Sequence, residues 1–290
     1  MTMRVLILGA AGQVGTALQQ STPQGITVIP RDVPHIDIRD RLDLIRALDD
    51  ARPNVVINCA AYTRVDDAEK DRDEAMAVNG VAPGLIAELS INAGARVIHI
   101  STDYVFDGTA HSPYATDAEV GPLNVYGATK LEGERRVLAT SPETVVIRTA
   151  WVHSGGGTNF IKTAVRLLSG GTPMRVVDDQ IGTPTRALHL AIALWSVVGR
   201  PDVRGLHHFT DAGVASWFDV AAAVLDTLSD ANRLGSGASV SPARTEEFPR
   251  PARRPEFSVL DKHASWKAIG YEPPHWRHGV IASTLELMNG

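Results

Sequence analysis

Short apolar runs alternate with longer amphipathic stretches along the first two thirds of the chain. Val5–Leu8 reads as a buried strand, and Gly15–Gln20 opens a helix. Thr27–Ile29 follows as a strand, and Arg41–Asp50 places Leu42, Ile45 and Leu48 at helical spacing. Val55–Ile57 is again strand-like, after Arg52-Pro53 marks the end of the preceding helix. From Asp71 to Ala93 one helical face carries Ala75, Val78, Ala82, Leu85, Ile86 and Leu89. Gly94 then caps it before a strand at Val97–Ser101. A helix over about Val125–Ala139 and a strand at Val145–Arg148 continue the alternation.

Repeated strand–helix–strand units predict a parallel sheet with helices on both faces. The strands lack polar alternation, as strands covered on both faces do. After Trp151 the texture changes. Gly155-Gly-Gly157 reads as a flexible link, Asn159–Ser169 and Trp217–Leu228 as helices, and Ala187–Val198 as a strongly apolar helix. Met174–Val177 and Gly205–Phe209 read as strands. Arg244–Pro255, with three Pro and four Arg, reads as a loop or linker that orders on binding. The expected fold is α/β: a doubly wound parallel sheet in residues 1–150, with a smaller C-terminal α/β substrate lobe in 151–290. Some later segments are expected to return to the sheet.

Composition adds few constraints. The 290 residues are 44% hydrophobic and 21% charged, ordinary for a globular chain. The net charge of −5 speaks against nucleic acid as the main partner. The single cysteine, Cys59, forms no internal disulfide and reads as a buried thiol. No apolar stretch approaches the ~20 residues of a membrane helix. The chain therefore reads as cytoplasmic, with no membrane and no nucleic-acid partner.

The first chemistry-bearing motif is Gly9-Ala-Ala-Gly-Gln-Val-Gly15, between a strand and a helix. A dinucleotide site needs a tight turn and a helix N-terminus aimed at the pyrophosphate, and glycines remove the Cβ atoms in the way. The reading is dinucleotide binding by Gly9, Gly12 and Gly15, against a merely structural turn. The second strand ends near Arg31 and Asp32. An acid there takes a ribose hydroxyl and an Arg takes the 2′-phosphate, so NADPH and NADH both stay open. Asp37 and Ile38 are candidates for the adenine end.

The second motif is Tyr126-Gly-Ala-Thr-Lys130. Residues four apart share a helix face. A nearby ammonium favours a phenolate, and lowering the Tyr126 pKa by ~3 units needs roughly 4 kcal/mol. On that reading Tyr126 is a proton donor and Lys130 its pKa adjuster. Alone, the pair could equally share an exposed helix face. Thr102 at a predicted strand end supports the site, because ligands of parallel sheets bind there. Asn58-Cys-Ala-Ala-Tyr-Thr63 ends another strand with small residues.

These motifs, together with Ser101-Thr-Asp-Tyr-Val-Phe-Asp-Gly108, Leu131-Glu-Gly-Glu134, Arg148-Thr-Ala-Trp-Val152 and Val176-Val-Asp-Asp-Gln-Ile-Gly-Thr-Pro-Thr185, resemble the extended short-chain dehydrogenase/reductases. Within them the chain is similar to the dTDP-4-dehydrorhamnose reductases, over nearly its whole length. The resemblance implies a Rossmann-type fold, a dTDP-sugar substrate and a catalytic set of Thr102, Tyr126 and Lys130, with Lys130 also holding the nicotinamide ribose. It further implies pyrophosphate contacts from Gly12, Gln13 and Val14, and cofactor contacts from Ala61, Tyr62 and Thr63. Asp103 and Trp151 match positions that contact the sugar, although Trp151 also suits a hinge-region core aromatic. Related dehydratases carry Asp-Glu after the threonine; here Tyr104 follows Asp103, which argues against dehydration. An epimerase and a non-catalytic regulatory subunit are the other readings, and retention of both Tyr126 and Lys130 weighs against the latter. Some relatives hold magnesium with glutamates at a dimer contact, one of them soon after Gly-Thr-Pro-Thr. Here Thr185-Arg-Ala-Leu-His189 has no acid, so neither a metal nor dimerisation through one is expected. A homodimer formed otherwise stays compatible with the chain.

Overall fold

A computed structural model describes residues 2–289. Six parallel strands form the central sheet: β1 (Met3–Leu8), β2 (Ile26–Arg31), β3 (Val55–Asn58), β4 (Arg96–Thr102), β5 (Val145–Thr149) and, after an excursion, β10 (Gly205–His208). Their spatial order is β10-β5-β4-β3-β1-β2. Chain order runs outward in both directions from β1, so the topological switch point lies between β1 and β3. A ligand crevice is expected at the carboxyl ends of those strands.

Helices cover both faces, as fully buried strands such as β3 and β5 require. One face is closed by α1 (Gln13–Gln20) and α7 (Ala187–Val198), with Leu18, Leu190, Leu194 and Trp195 packed on Val5, Ile7 and Ile57. The other is closed by α2 (Arg41–Ala51) and α4 (Ala82–Asn92), with Leu44, Leu48 and Ile86 packed on Leu6, Leu8 and Val56. There α5 (Val125–Thr140) contributes Val137. The apolar helix α7 and strand β10 thus lie in the sheet layer, although both come after residue 151.

The remaining elements are short. β6 (Val152–His153) pairs with β9 (Thr185–Arg186), β7 (Met174–Val177) with β12 (Val240–Ala243), and β8 (Ile181–Gly182) with β11 (Ala215–Ser216). Helices α6 (Phe160–Ser169), α8 (Trp217–Asp230) and α10 (Trp276–Asn289) enclose a separate core of Ile161, Leu168, Val220, Val224, Leu228 and Val280. A short helix α9 (His263–Ile269) places Trp266 and Ile269 against the sheet core.

Three sequence expectations change. The stretch from Asp71 to Ala93 is not one α-helix: α3 (Arg72–Ala75) passes into a π-helical turn at Met76–Val81 before α4. The extra residue per turn aims Asn79 at the end of β3, where its side chain accepts from Tyr62 N at 2.8 Å and donates to Tyr62 O at 3.0 Å. The glycine run at 155–157 is tied down rather than a free link, because Gly155 N donates to Glu286 Oε2 at 3.1 Å and the flanking Ser154 and Asn159 bind Gln13. The Arg244–Pro255 stretch is held by contacts within the chain. Asp66 accepts from Ala252 N and pairs with the Arg254 guanidinium.

Candidate active site

A cleft of about 920 Å³ opens at the carboxyl ends of β1, β3, β4 and β5. Its floor starts at the glycine turn. Gly9 has φ +77°, and a Cβ there would lie 2.5 Å from Ala60 N; a Cβ on Gly15 would strike the Gly9 carbonyl and Ala10. These glycines let β1, β3 and α1 approach closely, leaving the N-terminus of α1 facing the cleft, a cradle that fits a pyrophosphate. Gly9, Gly12, Gln13, Val14 and Gly15 all line it. Gln13 is held from the far side, accepting from Ser154 Oγ and Asn159 Nδ2, each at 2.9 Å.

Toward β2, Asp37 and Ile38 line the cleft and Arg31 does not. Arg31 flanks an adjoining shallow groove, and its main-chain oxygen accepts from Gly9 N and Ala10 N. Asp32 lines the cleft with its carboxylate fixed by Ala11 N at 2.6 Å and Val33 N at 2.8 Å. The sequence reading missed Arg39 and Glu74 at this end. Arg39 bridges Asp37 and Glu74, and its side-chain hydrogen bonds to Asp37 hold that carboxyl below its usual value. Ala61 and Thr63 line the cleft, whereas Tyr62 turns away. Its hydroxyl donates to Asp71 at 2.6 Å and its ring packs with Ala68 and Ala75.

Thr102, Tyr126 and Lys130 meet in the cleft as the sequence spacing suggests. Thr102 is the last residue of β4, with Oγ1 accepting from Tyr104 N. Tyr126 and Lys130 stand on α5, whose N-terminus is fixed twice. Asn124 caps Gly127 N at 2.8 Å, and Glu69 accepts from Val125 N at 2.8 Å. Burial pushes the Tyr126 phenol up to about 12, with the Thr102 hydroxyl pulling it down and Asp103 adding to the rise. Lys130 is drawn down to about 8 by burial, against the pull of Glu134 and Cys59. Its Nζ donates to Ile100 O at 2.6 Å and faces His99 Nε2 at 3.4 Å, an unanticipated neighbour whose ring burial keeps neutral. The expected lowering of the Tyr126 pKa by Lys130 is not seen: burial sets the value and only the Thr102 hydroxyl opposes it, so Tyr126 keeps its proton at neutral pH and is a donor as it stands. Cys59 lines the floor beside Lys130, with burial raising its thiol to about 12, too high for a nucleophile.

Asp103 and Trp151 also line the cleft. Asp103 is buried, its carboxyl raised to about 6 by desolvation, and its Oδ2 has no protein partner. Trp151 adopts φ +48°, a backbone state costing a bulky residue on the order of 1–3 kcal/mol. In the acidic run after Thr63, Asp66 holds Arg254, Glu69 holds α5 and Asp71 holds Tyr62. Beyond the Gly-Thr-Pro-Thr motif Arg186 carries its guanidinium onto Glu286, so this position does not fit a cation. Among the described residues no three His, Cys, Asp or Glu side chains gather as a metal site, and no helix is long and apolar enough to cross a membrane.

Residues 3–288 match the family model described as RmlD substrate binding domain. The chain is 43% identical over 285 residues to the dTDP-4-dehydrorhamnose reductase of Mycolicibacterium smegmatis, covering 97% of this chain and 84% of the relative. It is 38% identical to the dTDP-4-keto-6-deoxy-D-glucose reductase of Streptomyces niveus, covering 100% and 99%. The solved dTDP-4-dehydrorhamnose reductase of Bacillus anthracis, in complex with NADP, superposes with a TM-score of 0.91 at 34% identity, covering 99% of this chain and 100% of that one. With its glycine cradle, its Thr–Tyr–Lys cleft and a match over nearly its full length, the chain belongs to the RmlD substrate-binding family.

Proposed function

We propose that the protein is an NAD(P)H-dependent oxidoreductase that reduces the C4 keto group of dTDP-4-dehydro-6-deoxy-L-mannose to give dTDP-L-rhamnose. The observation that carries the reading is one cleft in which a protonated Tyr126, Lys130 and Thr102 lie beside the Gly9–Gly15 turn. The nicotinamide, when bound, supplies the hydride. Gly9, Gly12 and Gly15 would admit the pyrophosphate to the start of α1, and Lys130 would hold the nicotinamide ribose. Thr102 donates to the carbonyl oxygen and polarises it. Tyr126 gives its proton to that oxygen as charge builds on it. Asp103 and Trp151 bound the sugar, with Trp151 backed by the core of the lobe built on α6, α8 and α10. The substrate is a small-molecule nucleotide sugar, and the reaction belongs in the cytoplasm, where reduced cofactor is available.

The test is cofactor oxidation with enzymatically made dTDP-4-dehydrorhamnose, run with NADPH and NADH. Turnover that needs the sugar supports the reading. Tight NAD⁺ retained through purification, with epimerisation instead of net oxidation, would replace it. The Streptomyces niveus relative favours a second reading, reduction of another 4-keto-6-deoxy sugar nucleotide, so dTDP-4-keto-6-deoxy-D-glucose belongs in the same assay.

A further inference from the structure

Trp151 belongs to two places at once: it lines the cleft and packs on the core enclosed by α6, α8 and α10. We propose that Trp217 is a positioning residue for the substrate, holding the Trp151 indole as the fixed wall against which the sugar end is seated. The inference rests on the reductase reading and adds to it a residue outside the cleft.

The geometry is specific. The two indoles stack with centroids 3.8 Å apart and planes 8° from parallel, and Phe160 meets Trp217 edge-on at 5.0 Å. A Cβ on Gly182 would lie 2.7 Å from Trp151 Cε2 and 2.8 Å from Cζ2, so the bare backbone of β8 forms a seat for the indole edge. That seat and Trp217 are built together. Ala215 pairs with Gly182 across β11 and β8, and Ser216 starts α8 through a reciprocal cap with Asp219, leaving Trp217 in the first turn. On the other side, the backbone of Trp151 is pinned by Thr185 N donating to its carbonyl at 3.2 Å. A pair of tryptophans that served only as core would not require the left-handed backbone seen at Trp151. Such strain persists where the surroundings over-determine a residue, and it concentrates at ligand sites. Here it carries the indole from the end of β5 across to the second core, while Trp151 still lines the cleft that Asp103 and Tyr126 also line. Trp217 therefore acts on the substrate through Trp151.

The experiment compares Trp217→Ala, Trp217→Phe and Trp151→Ala in the full chain. For Trp217→Ala the expectation is a KM for dTDP-4-dehydrorhamnose raised about ten-fold, with kcat within about two-fold and the NADPH Kd unchanged. Trp217→Phe, which still offers an aromatic face, should return KM to within about three-fold of the parent. An unchanged KM in Trp217→Ala alongside a raised one in Trp151→Ala overturns the proposal. So does a joint loss of kcat, KM and cofactor affinity without rescue by Phe, which marks a purely structural residue. A crystal structure of Trp217→Ala decides independently of any sugar: Trp151 should leave its present position, and an unmoved indole overturns the proposal. If the parent enzyme reduces no 4-keto sugar nucleotide, the reductase reading fails while this arm still decides the role of Trp217.

Discussion

Lys130 and Tyr126 divide the pH dependence of the site between them. Burial places Lys130 at about 8 and Tyr126 at about 12, so the lysine loses its charge first as pH rises, while Tyr126 is still protonated. The basic limb of kcat/KM, which reports the free enzyme, should therefore fall near 8 and belong to Lys130. Lys130→Arg keeps a charge at every accessible pH, so the limb should move upward even if the rate drops; an unmoved limb would assign it to another group. Tyr126→Phe removes the proton donor alone, and should cost about 10²–10⁴-fold in kcat with NADPH affinity retained. Unchanged turnover in that variant would take Tyr126 out of the reaction. The Tyr–Lys spacing was legible in the sequence because i and i+4 share a helix face. His99 was not, because it comes from β4 and meets Lys130 only once the sheet is assembled.

As an element, α5 explains most of the motif around Tyr126. Gly127 admits the Tyr104 carbonyl, Gly133 admits the Asn79 carbonyl, and Glu134 makes a buried pair with Arg148 at 2.7 and 2.9 Å. The motif glycines are thus contact points where α5 lies against the π-helical turn and the loop after β4. A methyl at Gly133 strikes backbone, which gives way less readily than a side chain, so Gly133→Ala should cost about 1–3 kcal/mol of stability. It should also weaken NADPH binding, because Asn79 holds the Tyr62 backbone between the cleft residues Ala61 and Thr63. Thermal unfolding and a fluorescence titration with NADPH check both. A variant matching the parent in each would mean that the close approach is not needed. Helix existence here was readable from periodicity, but the π turn was not. Ala75, Ala82, Ile86 and Leu89 keep an unbroken apolar face through it, so only the fixed target for Asn79 reveals the extra residue.

At the scale of the molecule, local periodicity fails where chain order and spatial order part. Later segments are expected to return to the sheet, but periodicity does not mark which: α7 and β10 follow Gly155-Gly-Gly157, and it is they that complete the sheet layer, with Leu190 and Leu194 in one core with Leu18 of α1. That assembly buries histidines that must stay neutral. His153 is driven down to about 3 by burial with Arg186 and His189 nearby, and its Nε2 has no partner. His208 is driven to about 4 by burial beside Arg148. In the unfolded chain both take up a proton near the ordinary value of 6.5, so between that value and the folded ones the unfolded state holds more protons. Stability must then fall as pH falls through this window, by about 2 kcal/mol per histidine at about pH 5. Asp103 works in the opposite direction. Its folded value of about 6 lies above the ordinary 3.8, so acid favours its folded form and returns about 1 kcal/mol at about pH 5. The sum over His153, His208 and Asp103 is a loss of roughly 3 kcal/mol between about pH 7 and pH 5, with His99, also held neutral by burial, adding in the same direction; urea unfolding reads it. His153→Asn keeps an acceptor near the Nδ1 position that meets Ser283 Oγ at 3.0 Å and deletes the orphaned Nε2. In that variant the acid loss should shrink by about 2 kcal/mol, whereas an equal loss in parent and variant would place the acid sensitivity elsewhere in the fold.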